Sequence, residues 1–116
     1  MSSLEQEVNQ LHSEICAGLA DPKRILILYA LADGSKKVTE LAAFLSLPQP
    51  TASRHLKVLR ERGLVTSRRE GTSVYYSIAD MRIIEALDIL RAVLAERLQN
   101  QAGLIETFAS ESRDHS

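Results

Sequence analysis

The chain has 116 residues, 45% of them apolar and 25% charged, with a net charge of −1 and one cysteine. That length fits one domain with a modest core, and the composition excludes a disordered chain. The longest apolar run, the eight residues from Ile25 to Ala32, is too short to span a bilayer, so no membrane contact is expected. The first ten residues, MSSLEQEVNQ, are polar and acidic, unlike a signal peptide, which makes a cytoplasmic location the expectation.

Taken in order, residues 4–19 place Leu4, Val8, Leu11, Ile15 and Leu19 on one face of a first amphipathic helix. Asp21-Pro22 restarts the chain, Asp as an N-cap and Pro as the first helical residue. The helix that follows, KRILILYALAD, is apolar nearly all round and is expected at the centre of the domain. Gly34 ends it, and Lys36 and Lys37 fall in an expected exposed loop. A third helix begins at Val38-Thr39-Glu40, with Thr39 as its cap, and runs to about Ser46.

After the break at Leu47-Pro48 comes the stretch PQPTASRHLKVLRER, residues 48–62. Ala52, Leu56 and Leu59 recur at i, i+4 and i+7, a single apolar stripe. Gln49, Ser53, Arg54, Lys57 and Arg60 lie away from it, hydrogen-bonding and cationic groups suited to phosphates and base edges in a major groove. Taken in isolation, the same pattern also describes an ordinary surface helix with a solvated basic face. Two short helices joined by a tight turn make a helix-turn-helix. Residues 51–70 hold six Lys or Arg against Glu61 and Glu70, a local charge of +4 that leaves −5 on the rest. A nearly neutral sum therefore hides a small basic surface.

Beyond Gly63 the periodicity changes to that of strands. Leu64 to Arg69 and Ser73 to Ile78 read as a hairpin around Glu70-Gly71-Thr72, carrying Arg68 and Arg69. Asp80 caps a last long helix with the stripe Ile83, Leu87, Leu90, Leu94 and Leu98. Ala102, Ile105 and Ala109 extend that stripe, but Gly103 leaves open whether the helix continues. The expected organisation is a single domain over 1–109 and a frayed tail over 110–116.

The segments LADPKRILILYAL, VTELAAFLSLPQPTASRHLKVLRERGLV and RREGTSVYYSI together resemble the ArsR/SmtB family of winged-helix repressors, over about residues 17–79 in one register. The resemblance implies an α+β, mostly helical fold: a winged helix-turn-helix with a two-stranded β-hairpin wing, and N- and C-terminal helices forming a dimer interface. It implies a homodimeric repressor of transcription that binds an inverted-repeat operator in double-stranded DNA. Carried over residue by residue, Gln49, Thr51, Ser53 and Arg54 read bases, Lys57 meets phosphate, and Arg68, Arg69 and Thr72 belong to the wing. His55 borders the apolar stripe and is expected to pack locally, as are Tyr75 and Tyr76.

Family members commonly respond to a metal or metalloid. The arsenic-type thiolate positions correspond to Lys37-Val38-Thr39, with Ala42 where a further cysteine can occur, and no soft ligand stands there. Of the zinc-type positions Asp80 and Glu96 remain, but Arg82 and Val93 fill the two between them, a set that would not hold zinc tightly. Asp80 is then a helix cap. No metal and no cofactor are expected.

One sensor candidate remains, Cys16 with His12 one turn earlier, enough for four ligands across a dimer. The competing reading makes Cys16 a small buried hydrophobe and His12 a surface residue. A Cys16-dependent repressor responding to thiol reagents or soft metals, and a winged-helix protein-interaction module with lost DNA binding, are the alternatives. No Gly-rich phosphate loop, carboxylate pair or nucleophile–base pair beyond His12 and Cys16 suggests an enzyme.

Overall fold

The computed structural model describes residues 2–114, with side chains to residue 102. The chain divides into two units, Met1–Ile84 and Glu85–Ser116.

In the first unit, helix α1 (Ser3–Gln10) starts at Ser2, whose Oγ accepts from the Glu5 N–H at 3.1 Å. It passes into a π-helical stretch, Leu11–Cys16, so the expected single helix over 4–19 has a wider second half. Helix α2 (Pro22–Ala32) is capped as expected, with Asp21 Oδ1 accepting from the Lys23 N–H at 2.8 Å. Its Ile27, Leu28, Ala30 and Leu31 are buried, whereas Leu26 is 52% exposed. The helix is therefore central on one side only.

Lys36 and Lys37 do not lie in a loop. They form strand β1 (Lys36–Lys37), antiparallel to the outer edge of the hairpin. Strands β2 (Val65–Glu70) and β3 (Ser73–Ile78) pair throughout, and the sheet order is β1-β3-β2. The expected two-stranded wing is thus part of a three-stranded sheet. The reason is backbone satisfaction: the free edge of β3 would otherwise leave unpaired N–H and C=O groups.

Helix α3 (Val38–Leu45) is capped by Lys37, not Thr39, with Glu40 Oε1 accepting from the Lys37 N–H at 3.1 Å. Strand β1 fixes Lys37 in extended backbone, so the helix can only begin one residue later. At its other end Ser46 adopts a left-handed φ of 54°, which lets the Leu47 N–H return to the Ala42 carbonyl at 2.9 Å. That turn leads into α4 (Gln49–Glu61), where Pro48 takes the N-cap position.

Ala52, Leu56 and Leu59 of α4 are fully buried, the stripe expected from spacing. They complete a core with Ile27, Leu28, Leu41, Leu64 and Val65. Fully burying one such side chain contributes about 1.5–3 kcal/mol. Helix α5 (Arg82–Asp114) runs through Gly103 without a break in its backbone. His115 and Ser116 lie outside the described residues. No helix among the described residues is long and apolar enough to cross a membrane.

Candidate nucleic-acid interface

Because Ala52, Leu56 and Leu59 fix the inward face of α4, its rotation is set and the polar side chains on the opposite face point outward. Gln49, Ser53, Arg54 and Lys57 are exposed, and Thr51 is half-buried. Arg54 Nη2 donates to Thr51 Oγ1 at 3.3 Å, one turn back, so two of the expected base-reading residues touch each other. Arg60 lies on the same exposed side. His55 is half-buried near Asp21, Lys23 and Arg24. Burial holds its pKa below the ordinary 6.5, Asp21 working against the shift and the cations with it. That placement is packing on the α2 side of the helix.

The wing hangs from the end of α4. Gly63, with φ of +74°, turns the chain, and the Leu64 N–H bonds the Leu59 carbonyl at 2.9 Å. At the tip Glu70 pairs with Ser73, leaving Gly71 and Thr72 as a two-residue turn; the positive φ at Gly71 alone is the pattern of a type II′ hairpin. Arg68 and Arg69, adjacent in sequence, point to opposite faces of the sheet. Arg68 shares its face with Glu70, which it meets at 2.9 Å. Arg69 shares the other face with Val65 and pairs with Val74 across the strands. Arg69 and Thr72 are exposed. Sequence spacing grouped the two arginines; the pleat separates them.

Sequence reasoning missed three cationic roles. Lys37 joins the sheet beside Tyr75. Arg24 caps the end of the first helical segment, donating to the Gly18 carbonyl at 2.7 Å and the Ala17 carbonyl at 3.2 Å. Arg62 reaches the Ser13 carbonyl. A strand of two residues and long-range side-chain bonds leave no periodic trace, so only the cationic residue types were visible.

Elsewhere, both oxygens of Asp80 are taken by Arg82: the backbone N–H at 2.9 Å, Nε at 3.1 Å to each oxygen, and Nη2 at 2.6 Å. These bonds lower its pKa to about 2. Asp80 is thus a helix cap whose carboxylate is already paired. His12 and Cys16 are both exposed on the π-helical stretch, so Cys16 is not the buried hydrophobe of the competing reading within one protomer. Among the described residues no three His, Cys, Asp or Glu side chains converge.

The apolar residues of the first helix are also uncovered: Leu4, Val8, Leu11 and Ile15 line an open trough of about 410 Å³. On α5, within its own unit, Ile89, Leu90, Val93, Leu94 and Leu98 are all more than half exposed.

Residues 21–67, which span α2 to the start of the wing, match the family of bacterial regulatory proteins named for arsR. The chain is 40% identical over 79 residues to the helix-turn-helix transcriptional regulator MJ1325 of Methanocaldococcus jannaschii, covering 67% of this chain and 89% of that protein. It is 38% identical over 82 residues to the biofilm growth-associated repressor of Agrobacterium fabrum, covering 71% of this chain and 70% of the relative. Its fold is similar to the solution structure of the homodimeric winged helix-turn-helix DNA-binding domain of Mb0332 from Mycobacterium bovis. The TM-score is 0.74 at 31% identity, covering 86% of this chain and 93% of that one.

Proposed function

Since the chain belongs to the arsR family of bacterial regulatory proteins, we propose that it is a homodimeric, cytoplasmic repressor of transcription that binds an inverted-repeat operator in double-stranded DNA. The observation that carries this reading is the division of α4. One face, Ala52, Leu56 and Leu59, is fully buried, and the other presents Gln49, Ser53, Arg54 and Lys57 outward. A helix anchored in this way can enter a major groove as a rigid body.

Each side chain then has a role. Arg54 offers paired donors and Gln49 a donor and an acceptor for base edges, and Ser53 and Thr51 add single hydrogen bonds. Lys57 neutralises a phosphate, while Arg69 and Thr72 at the wing reach the adjoining backbone or minor groove. Arg68 offers a further cation to the DNA backbone from the wing's other face. Residues 1–109 act as one DNA-binding and dimerisation domain.

Two copies are needed because an inverted repeat presents the same half-site twice, related by a two-fold axis. The uncovered stripes Leu4, Val8, Leu11, Ile15 and Leu90, Val93, Leu94, Leu98 supply apolar area for that contact. The relative from Agrobacterium fabrum is named a repressor and the Mb0332 domain is homodimeric, which supports the same assembly and direction of regulation here.

The test is a titration of the purified protein against the duplex upstream of its own gene and against an unrelated duplex, over a range of salt. The expected result is preference for the upstream duplex and affinity that falls steeply with salt. Binding to neither duplex would favour the winged-helix protein-interaction reading instead.

A further inference from the structure

Tyr75 sits between two cations. Lys37 Nζ lies 5.8 Å from its ring centroid and Arg68 Cζ lies 5.6 Å from it. The sheet register is the cause: Tyr75 on β3 is the direct partner of Lys37 on β1 and of Arg68 on β2. Direct partners across antiparallel strands share a face. Alternation puts that face opposite Val65, whose side chain is buried, so the row Lys37–Tyr75–Arg68 lies on the solvent side.

Bringing two cations to one ring costs mutual repulsion, which the electron-rich face of the ring offsets by attraction. The result is two cationic side chains brought to one ring by the register of the sheet, Arg68 also meeting Glu70. Cations grouped in this way suit a ligand whose negative charges are regularly spaced, as in a nucleic-acid backbone.

Resting on the DNA-binding reading above, we propose that this row is a second phosphate-contact surface for duplex DNA. Lys37 and Arg68 make the contacts, and Tyr75 is the positioning residue that holds both. The strand β1 matters because it carries Lys37 into the row, extending the contact area beyond the helix and the hairpin tip. Glu70, on the same face and 2.9 Å from Arg68 Nε, opposes the interaction and tunes its strength.

The test is the slope of log affinity against log salt for the intact protein on the upstream duplex. Five forms are compared: wild type, Lys37→Ala, Tyr75→Leu, Tyr75→Phe and Glu70→Gln, with circular dichroism to confirm that each is folded. Loss of one phosphate contact should make the Lys37→Ala slope shallower by about 1. Tyr75→Leu should be shallower too, whereas Tyr75→Phe keeps the ring and should match wild type. Glu70→Gln should bind more tightly at low salt, by about threefold or more.

Wild-type slopes in both Lys37→Ala and Tyr75→Leu, with wild type itself binding, would overturn this inference alone. So would equal losses in Tyr75→Phe and Tyr75→Leu, since the ring would then not be the positioning element. A wild type without salt-dependent duplex binding would instead overturn the DNA-binding reading on which it rests.

Discussion

Arg62, at the C-terminal end of α4, donates through Nη1 to the backbone carbonyl of Ser13, 49 residues earlier in the chain. Ser13 lies in the π-helical stretch that continues α1. Next to this bond Gly18 packs so closely that a Cβ there would lie 2.7 Å from Leu64 Cδ1 and 3.4 Å from Arg62 Cγ. The first helix is therefore joined to the end of α4 by one charged hydrogen bond and one glycine contact.

The two contacts should differ in cost. Arg62→Ala removes a hydrogen bond at the surface and should lower stability by about 1 kcal/mol. Gly18→Ala gains up to about 1 kcal/mol of helix propensity but overpacks the fully buried Leu64, at a cost of about 1–3 kcal/mol. Urea unfolding of both variants measures this, and each is expected to be less stable than wild type. A Gly18→Ala protein more stable than wild type would show that Leu64 can move aside freely.

Much of this fold was legible in the sequence wherever a period repeats. Ala52, Leu56 and Leu59 announced the buried face of α4, and the β-branched runs on either side of Gly71 announced the hairpin. Lys36-Lys37 could not be read as a strand, because two residues carry no alternation and the pairing depends on Tyr75 and Tyr76 far along the chain. For the same reason sequence alone points to Thr39 as the cap of α3: a hydroxyl is a good local cap, but β1 fixes Lys37 in extended backbone. The π-helical stretch was hidden because the spacing of Leu4, Val8, Leu11 and Ile15 suits an ordinary helix equally well. At the candidate interface the residue types were visible, while the opposite directions of Arg68 and Arg69 needed the pleat and register of the sheet.

In the proposed dimer, assembly depends on the uncovered stripes. Leu90→Asp places a charge in the apolar row of α5, where a dimer interface would have to desolvate it. Sedimentation should show monomers, and operator binding should be lost together with the dimer. Full operator affinity in a monomeric variant would place the contact elsewhere.

The pH dependence of stability follows from Asp80. Its folded pKa, about 2, lies below the ordinary 3.8 because Arg82 bonds and pairs with the carboxylate. A depressed carboxylate stabilises the fold above the unfolded value, and that contribution is lost as pH falls through the folded value. Asp80→Asn should therefore be less stable than wild type at neutral pH, with the two converging between about pH 4 and pH 2. Urea midpoints across that window give the comparison, and a constant gap down to pH 2 would contradict it.

The response to metals should be restricted. Lys37, Thr39 and Ala42 offer no thiolate for arsenic, and Arg82 occupies Asp80 at the zinc-type position. A ligand releases DNA only through unequal affinity for two conformations, which requires a site. Micromolar zinc or arsenite should leave operator affinity unchanged in Cys16→Ser. Any effect of a thiol reagent or soft metal on wild type should vanish in Cys16→Ser and weaken in His12→Ala. Zinc-driven release that survives in Cys16→Ser would contradict this reading.

The reading face of α4 is tested most directly by the ratio of operator to nonspecific affinity in Ser53→Ala/Arg54→Ala. Both side chains are exposed, so the fold should persist. Each good base contact contributes about 1–3 kcal/mol of discrimination, so the ratio should fall at least about tenfold while nonspecific binding changes much less. A double variant that keeps the full wild-type ratio would mean that this face of α4 does not read the operator.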